Sequence, residues 1–85
     1  MRRVKVQRVG EGLHPNEVIV AVTTKDGTEE LVVHKRSLGT GDTLLIGYPI
    51  GGDDKNNLLI ELPRETVRGS SRVWVPASTL EEAAA

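Results

Sequence analysis

The chain has no cysteine and no phenylalanine, and its 85 residues include one tryptophan and one tyrosine. Without cysteine there is no disulfide staple, no thiolate metal site and no cysteine nucleophile. Two aromatic rings are too few for the stacking platforms that hold single-stranded bases. Apolar runs reach only four or five residues, too short for a membrane-spanning helix. No apolar stretch follows Met1-Arg2-Arg3. A secretory leader is therefore not expected, and the cytoplasm is the expected compartment. Neither sign of charge prevails: 11 basic residues face 12 acidic ones, for a net charge of −1. Nucleic-acid-binding domains are usually net basic, so this balance weighs against that class without removing it.

What the chain does have is β-branched residues: 11 valines, 4 isoleucines and 7 threonines. These favour strands over helices. Residues 3–9 alternate, with Val4 and Val6 on one face and polar groups on the other, as in a half-buried strand. Gly10-Glu11-Gly12 is expected to end it. Residues 17–24 put Val18, Val20 and Val22 on one face and Ile19 and Ala21 on the other, the pattern of a central strand. Asp26-Gly27 between two β-rich runs signals a hairpin, returning through residues 28–34. The loop that follows has room for one helical turn at 36–38. Residues 43–48 predict a strand with Leu44, Ile46 and Tyr48 inward and Leu45 outward. Residues 51–57 read as a polar, mobile loop, and residues 58–62 and 72–75 as two further strands. A single 3₁₀ turn is expected to tuck Leu80 inward, and residues 81–85 are expected to fray.

Five to six short antiparallel strands with no long amphipathic helix to cover them favour closure into a small barrel spanning residues 1–80 as one domain. The hairpin at Asp26-Gly27, the strand Leu44–Tyr48 and the ending Val73-Trp74-Val75-Pro76-Ala77-Ser78-Thr79-Leu80 together resemble the SH3-like family of small barrels. That resemblance implies an all-β, SH3-like barrel with a C-terminal 3₁₀ turn, and it implies nothing about activity. The proline-recognition groove of signalling SH3 modules is lined by several aromatics, where this chain offers only Tyr48 and Trp74. Gly41-Asp42 before Thr43-Leu44-Leu45-Ile46 is similar to a run in the small-barrel hydrogenase-maturation chaperones, but those begin Met-Cys and residue 2 here is Arg. The basic opening strand and Gly-Asp turn are also similar to AbrB-type antitoxins, whose fold is much shorter.

A non-catalytic binding or assembly module is the expected function. Its contact residues are read as Trp74 with Arg72, Leu45 and Leu59. Val73 and Val75 take the core, which turns the indole outward, and Trp and Arg are enriched at interface hot spots. The competing reading of Trp74 is a ring packed over one end of the fold. A protein partner or a second copy of the chain would cover the patch. The alternative is a nucleic-acid accessory domain using Arg2, Arg3, Lys5, Arg8, Arg64, Arg68 and Arg72 on phosphates. Its competing reading is a solvated surface with charges balanced across strands. Residues 1–10 carry a local +4 and residues 11–30 a local −4.

Neither a metal nor another cofactor is expected. His14 and His34 lack ligand spacing, and Asp53-Asp54 offers at most loose contact with a hard cation. Catalysis is not expected either: Ser70-Ser71 lacks a nucleophile elbow, and neither Gly51-Gly52 nor Gly10-Glu11-Gly12 continues as a phosphate loop.

Overall fold

Alternating valines set the first two strands. In the computed structural model, which describes residues 2–39 and 41–82, β1 spans Arg2–Glu11 and β2 spans Glu17–Thr24. Val4, Val6, Val18, Val20 and Val22 are all buried. β3 (Gly27–His34) returns along β2 in full register, from Glu17 opposite His34 to Thr24 opposite Gly27. Lys25 and Asp26 form the two-residue turn, and Gly27 follows at φ +133°. A side chain rarely adopts that conformation, so glycine belongs there. A 3₁₀ turn at Lys35–Ser37 leads to β4 (Leu38–Gly39) and then β5 (Thr43–Ile46). β6 (Gly51–Gly52), β7 (Asn57–Glu61) and β8 (Arg72–Pro76) follow, then a second 3₁₀ turn at Ala77–Thr79 and β9 (Leu80–Glu82).

The strands form two antiparallel sheets. The larger has the order β3-β2-β1-β5-β4, with β9 also on β1; the smaller is β6-β7-β8. Both β5 and β9 pair with residues 2–4 of β1, so they occupy opposite edges of that strand. β2 then takes up β1 from Val6 onward. Buried residues of both sheets, including Leu31, Leu44, Ile60 and Val75, form one apolar cluster between them, with Leu38 and Leu80 packed against it. Backbone bonds link the two parts: Lys25 N–H, in the β2–β3 turn, donates to Trp74 O of β8 at 3.0 Å, and Val67 N–H, in the β7–β8 connection, donates to Glu30 O of β3 at 2.7 Å. Among the described residues no ladder closes the strands into one cylinder, so the all-β expectation holds but the closed barrel is not found. No helix of the described residues is long and apolar enough to cross a membrane.

Several expectations shift. β1 does not stop at Gly10; it continues to Glu11 because a bulge between Arg8 and Gly10 leaves Val9 as the extra residue. A bulge absorbs the register change that a glycine would otherwise terminate. Tyr48 is 69% exposed rather than inward. β5 ends at Ile46, and Gly47 and Pro49 interrupt the ladder that would have kept the alternation. Of the expected tail 81–85, Glu81 and Glu82 pair with β1; residues 83–85 lie outside the described residues. The loop at 51–57 begins as a strand and is stapled by Asp53, whose Oδ1 accepts from Lys55 N–H at 3.0 Å and Asn57 N–H at 2.8 Å.

The polar segment 63–71 also has an anchor. Thr66 is 5% exposed. Its hydroxyl donates to Glu29 Oε1 at 2.7 Å and accepts from Ser70 N–H at 3.1 Å. Together with Val67 N–H, which donates to Glu30 O, this side chain fastens the segment to β3.

Two outcomes test this packing. Leu44→Ala, at a position with no exposure, should cost about 2–5 kcal/mol, whereas Leu13→Ala, at 98% exposure, should be neutral within about 0.5 kcal/mol; urea unfolding compares them. Thr66→Val should lose about 1–3 kcal/mol by leaving the Glu29 carboxylate and Ser70 N–H short of a partner, with Thr66→Ser retaining most of it in the same measurement.

Candidate functional site

Directly opposed residues of an antiparallel pair share a face. On β7 and β8 that rule places Glu61 with Arg72, Leu59 with Trp74 and Asn57 with Pro76. Arg72 Nε donates to Glu61 Oε2 at 3.1 Å, with both side chains 60% exposed. Trp74 faces outward, as its buried neighbours Val73 and Val75 require, but it is half-buried. Lys25, brought over by the β2–β3 turn, sets its ammonium 5.0 Å from the centre of the ring. A cation over the indole face is held by the ring quadrupole. Gly51 lies opposite Leu59, and a methyl group there would touch both Leu59 and Trp74. The indole therefore belongs both to the packing and to the surface.

Leu45 sits elsewhere. It pairs with Arg3 on the larger sheet and is 38% exposed. Around it stand Tyr48, 69% exposed, and Ile50, 51% exposed. With Pro63 they line a cavity of about 340 Å³. Ile50 N–H donates to Leu59 O at 2.9 Å, which ties this segment to β7. Glu61 stands between the two groups: it lines the Leu45 cavity and its carboxylate holds Arg72. The four expected contact residues thus fall into two neighbouring groups. Tyr48 and Ile50, which strand alternation does not point to, are both more exposed than Leu45 in this cavity. The Gly47 and Pro49 that flank Tyr48 were the available signal, since a strand that ends releases its next residues from the inward face.

The cations do not gather as one stripe. Arg8 pairs with Asp42 at 3.1 Å, Arg64 with Glu17 at 3.7 Å, Arg68 with Glu29 at 3.6 Å and Arg72 with Glu61 at 3.1 Å. Lys35 likewise reaches Glu11 at 3.6 Å. Arg2 and Arg3 lie opposite Glu82 and Glu81 in the β1–β9 register. Arg3 Nη1 approaches Thr43 Oγ1 at 3.5 Å, and Lys5, exposed, lies opposite Thr43. Arg72, on the smaller sheet, is not brought to Lys5 or Arg8 by any strand pairing.

Among the described residues no group of three or more His, Asp or Glu could hold a metal ion. Asp53, one of the two carboxylates considered for a hard cation, instead accepts the amides of its own turn, including Asn57 Nδ2 at 3.1 Å. The Asn57 backbone N–H, outweighing partial desolvation, holds the Asp53 carboxyl below the ordinary aspartate range, helped by the Asn57 side-chain amide and the Lys55 N–H. His34 Nδ1 accepts from Arg36 N–H at 3.2 Å and caps the first 3₁₀ turn.

The Asp53 turn gives a pH dependence. A carboxyl whose folded pKa is depressed adds stability above its unfolded pKa, and that stability is lost as pH falls through the folded value. Asp53→Asn should therefore melt below the wild type at neutral pH, and the gap should narrow as pH falls below the ordinary aspartate range. Thermal melts followed by circular dichroism at neutral and acid pH check this.

Comparison with protein-family models, with curated proteins and with solved structures finds no match for this chain. The functional reading therefore rests on the geometry of these two apolar groups and on the distribution of charge around them.

Proposed function

We propose that this protein is a non-catalytic contact module that binds another protein chain, whether a partner or a second copy of itself. The observation that carries the reading is the cluster of Leu45, Tyr48 and Ile50 on one side of Glu61, with Leu59 and Trp74 beyond it. Exposed tyrosine and isoleucine beside proline hold apolar area in water, and association removes that area. Trp74 and Arg72 supply the rim, where the indole adds area and the Arg72–Glu61 pair adds direction. The finer likeness to SH3-like barrels belongs to this proposal too. It is supported by the Gly27 hairpin and by the sequence of β8, 3₁₀ turn and β9, and it concerns strand layout rather than a closed cylinder.

The phosphate-binding alternative draws less support from the charges. Arg8, Arg64, Arg68 and Arg72 each face a carboxylate, and a phosphate would have to compete with it. Steep salt dependence would mark that alternative, because each phosphate contact releases counterions.

The test is a double variant, Tyr48→Ser with Ile50→Ser. Both positions are exposed, so its unfolding free energy should stay within about 0.5 kcal/mol of wild type per site. Light scattering after size exclusion reads self-association, and capture on immobilised chain reads a partner. The wild type should associate by one of these routes, weakly dependent on salt, and the double variant should lose it. Trp74→Ala should weaken the same association, with its own melt recorded because the ring is half-buried. Association unchanged in both variants would sink the proposal.

A further inference from the structure

Where a carboxylate faces most arginines of this surface, two are left without one at a single place. Arg3 and Arg36 line a cavity of about 310 Å³ together with Ser37 and an apolar floor that includes Leu38, Leu45 and Pro63. Neither guanidinium has a carboxylate within ion-pair distance among the described residues, while Arg8, Arg64, Arg68, Arg72 and Lys35 all do. Glu81 lies opposite Arg3 in the β1–β9 register without an ion pair to it, so in a chain of net charge −1 two guanidiniums outside any ion pair at one cavity are a local departure from the pairing seen elsewhere.

Arg3 is seated by the backbone. Its guanidinium lies where a side chain at residue 39 would begin, and a Cβ on Gly39 would overlap both Arg3 and the Thr43 hydroxyl. Thr43 is 2% exposed, and its Oγ1 lies 3.5 Å from Arg3 Nη1. Glycine at 39 thus lets the guanidinium lie close against β4, with less freedom to lose when a ligand arrives. Arg36 comes from the 3₁₀ turn capped by His34.

The cavity does not end there. Leu45 and Pro63 line it and also line the cavity of Tyr48 and Ile50. The result is a groove with the two guanidiniums at one end, an apolar floor between, and Glu61, held by Arg72, on the wall of the Tyr48–Ile50 end. Guanidinium forks match carboxylates in a planar, two-bond geometry, and leucine and proline floors favour aliphatic side chains over the polar sugars that flank nucleic-acid phosphates. We propose that this groove receives an extended acidic–apolar segment of a partner protein, with a carboxylate between Arg3 and Arg36 and apolar side chains running over Leu45 and Pro63 toward Tyr48 and Ile50. This deepens the contact reading above and rests on it.

The experiment is fluorescence anisotropy on the full chain with two labelled peptides, Glu-Glu-Leu-Val-Leu and Leu-Val-Leu-Glu-Glu, which offer the same groups in both directions. At least one should bind saturably, and its glutamine counterpart should bind about tenfold more weakly, since charge-assisted bonds are roughly twice as strong as neutral ones. Arg36→Gln should weaken binding by about tenfold for the same reason. Gly39→Ala should also weaken it, by displacing Arg3 without removing it, and circular dichroism confirms that the variant is folded. Arg64→Gln, whose guanidinium faces Glu17, should leave affinity unchanged. Absence of saturable binding by both peptides, equal binding by Arg36→Gln, or preference for a thymidine oligonucleotide over both peptides would overturn the proposal. Should the peptides fail while the Tyr48→Ser, Ile50→Ser variant still loses association, the acidic segment is wrong and the contact surface stands.

Discussion

Val4 is the residue on which the larger sheet turns. It has no solvent exposure; Leu44 lies opposite it on one edge of β1 and Leu80 on the other. One strand therefore gathers the middle of the chain, its C-terminal end and, a few residues later, the β2–β3 hairpin. Each of these segments is short, and short strands bury little on their own. Their stability comes from sharing β1. The polar outer face of β1 then follows, because alternation that sends Val4 and Val6 inward sends Arg3 and Lys5 outward. The cationic end of the groove is a by-product of the same period that builds the core.

The second sheet depends on that core in turn. Ile60, Val73 and Val75 close over the valines of β1 and β2, and β8 is fastened at its middle by the Lys25 amide to Trp74 O. With the inward positions of β7 and β8 filled, Leu59, Glu61, Arg72 and Trp74 must share the outer face. Lys25 bridges both aspects of the arrangement: its backbone ties the sheets and its ammonium covers the indole. Packing and surface are therefore not separate properties of this tryptophan.

Charge follows a similar logic. Carboxylates and guanidiniums far apart in sequence meet across strands and loops, as Arg8 meets Asp42 and Arg68 meets Glu29. Exposed pairs of this kind add little stability. Their larger consequence is that they remove those cations from availability. That Arg3 and Arg36 stay outside such pairs is set by which loops reach which edges, and that is a tertiary outcome.

The core was legible from residue spacing. Val4, Val6, Val18, Val20, Val22, Leu31, Val33, Leu44 and Ile46 alternate in runs long enough for period two to show, and all are buried. The elements that escaped are those with too few residues to carry a period: Leu38–Gly39, Gly51–Gly52 and Leu80–Glu82. Thr66 escaped because a lone threonine in a polar loop looks like solvent-facing residue until Glu29 is brought to it. Of the proposed contact residues, Leu45 and Trp74 are outward by strand alternation, whereas Tyr48 departs from it because the ladder ends two residues before it. The amino-acid sequence by itself determined which side chains turn inward along the regular stretches of the longer strands, since there the facing depends only on a local alternation. Only the tertiary structure decided that the strands split into two sheets, which arginines found carboxylates and where Leu45 met Pro63, because those depend on contacts between segments that no local pattern encodes.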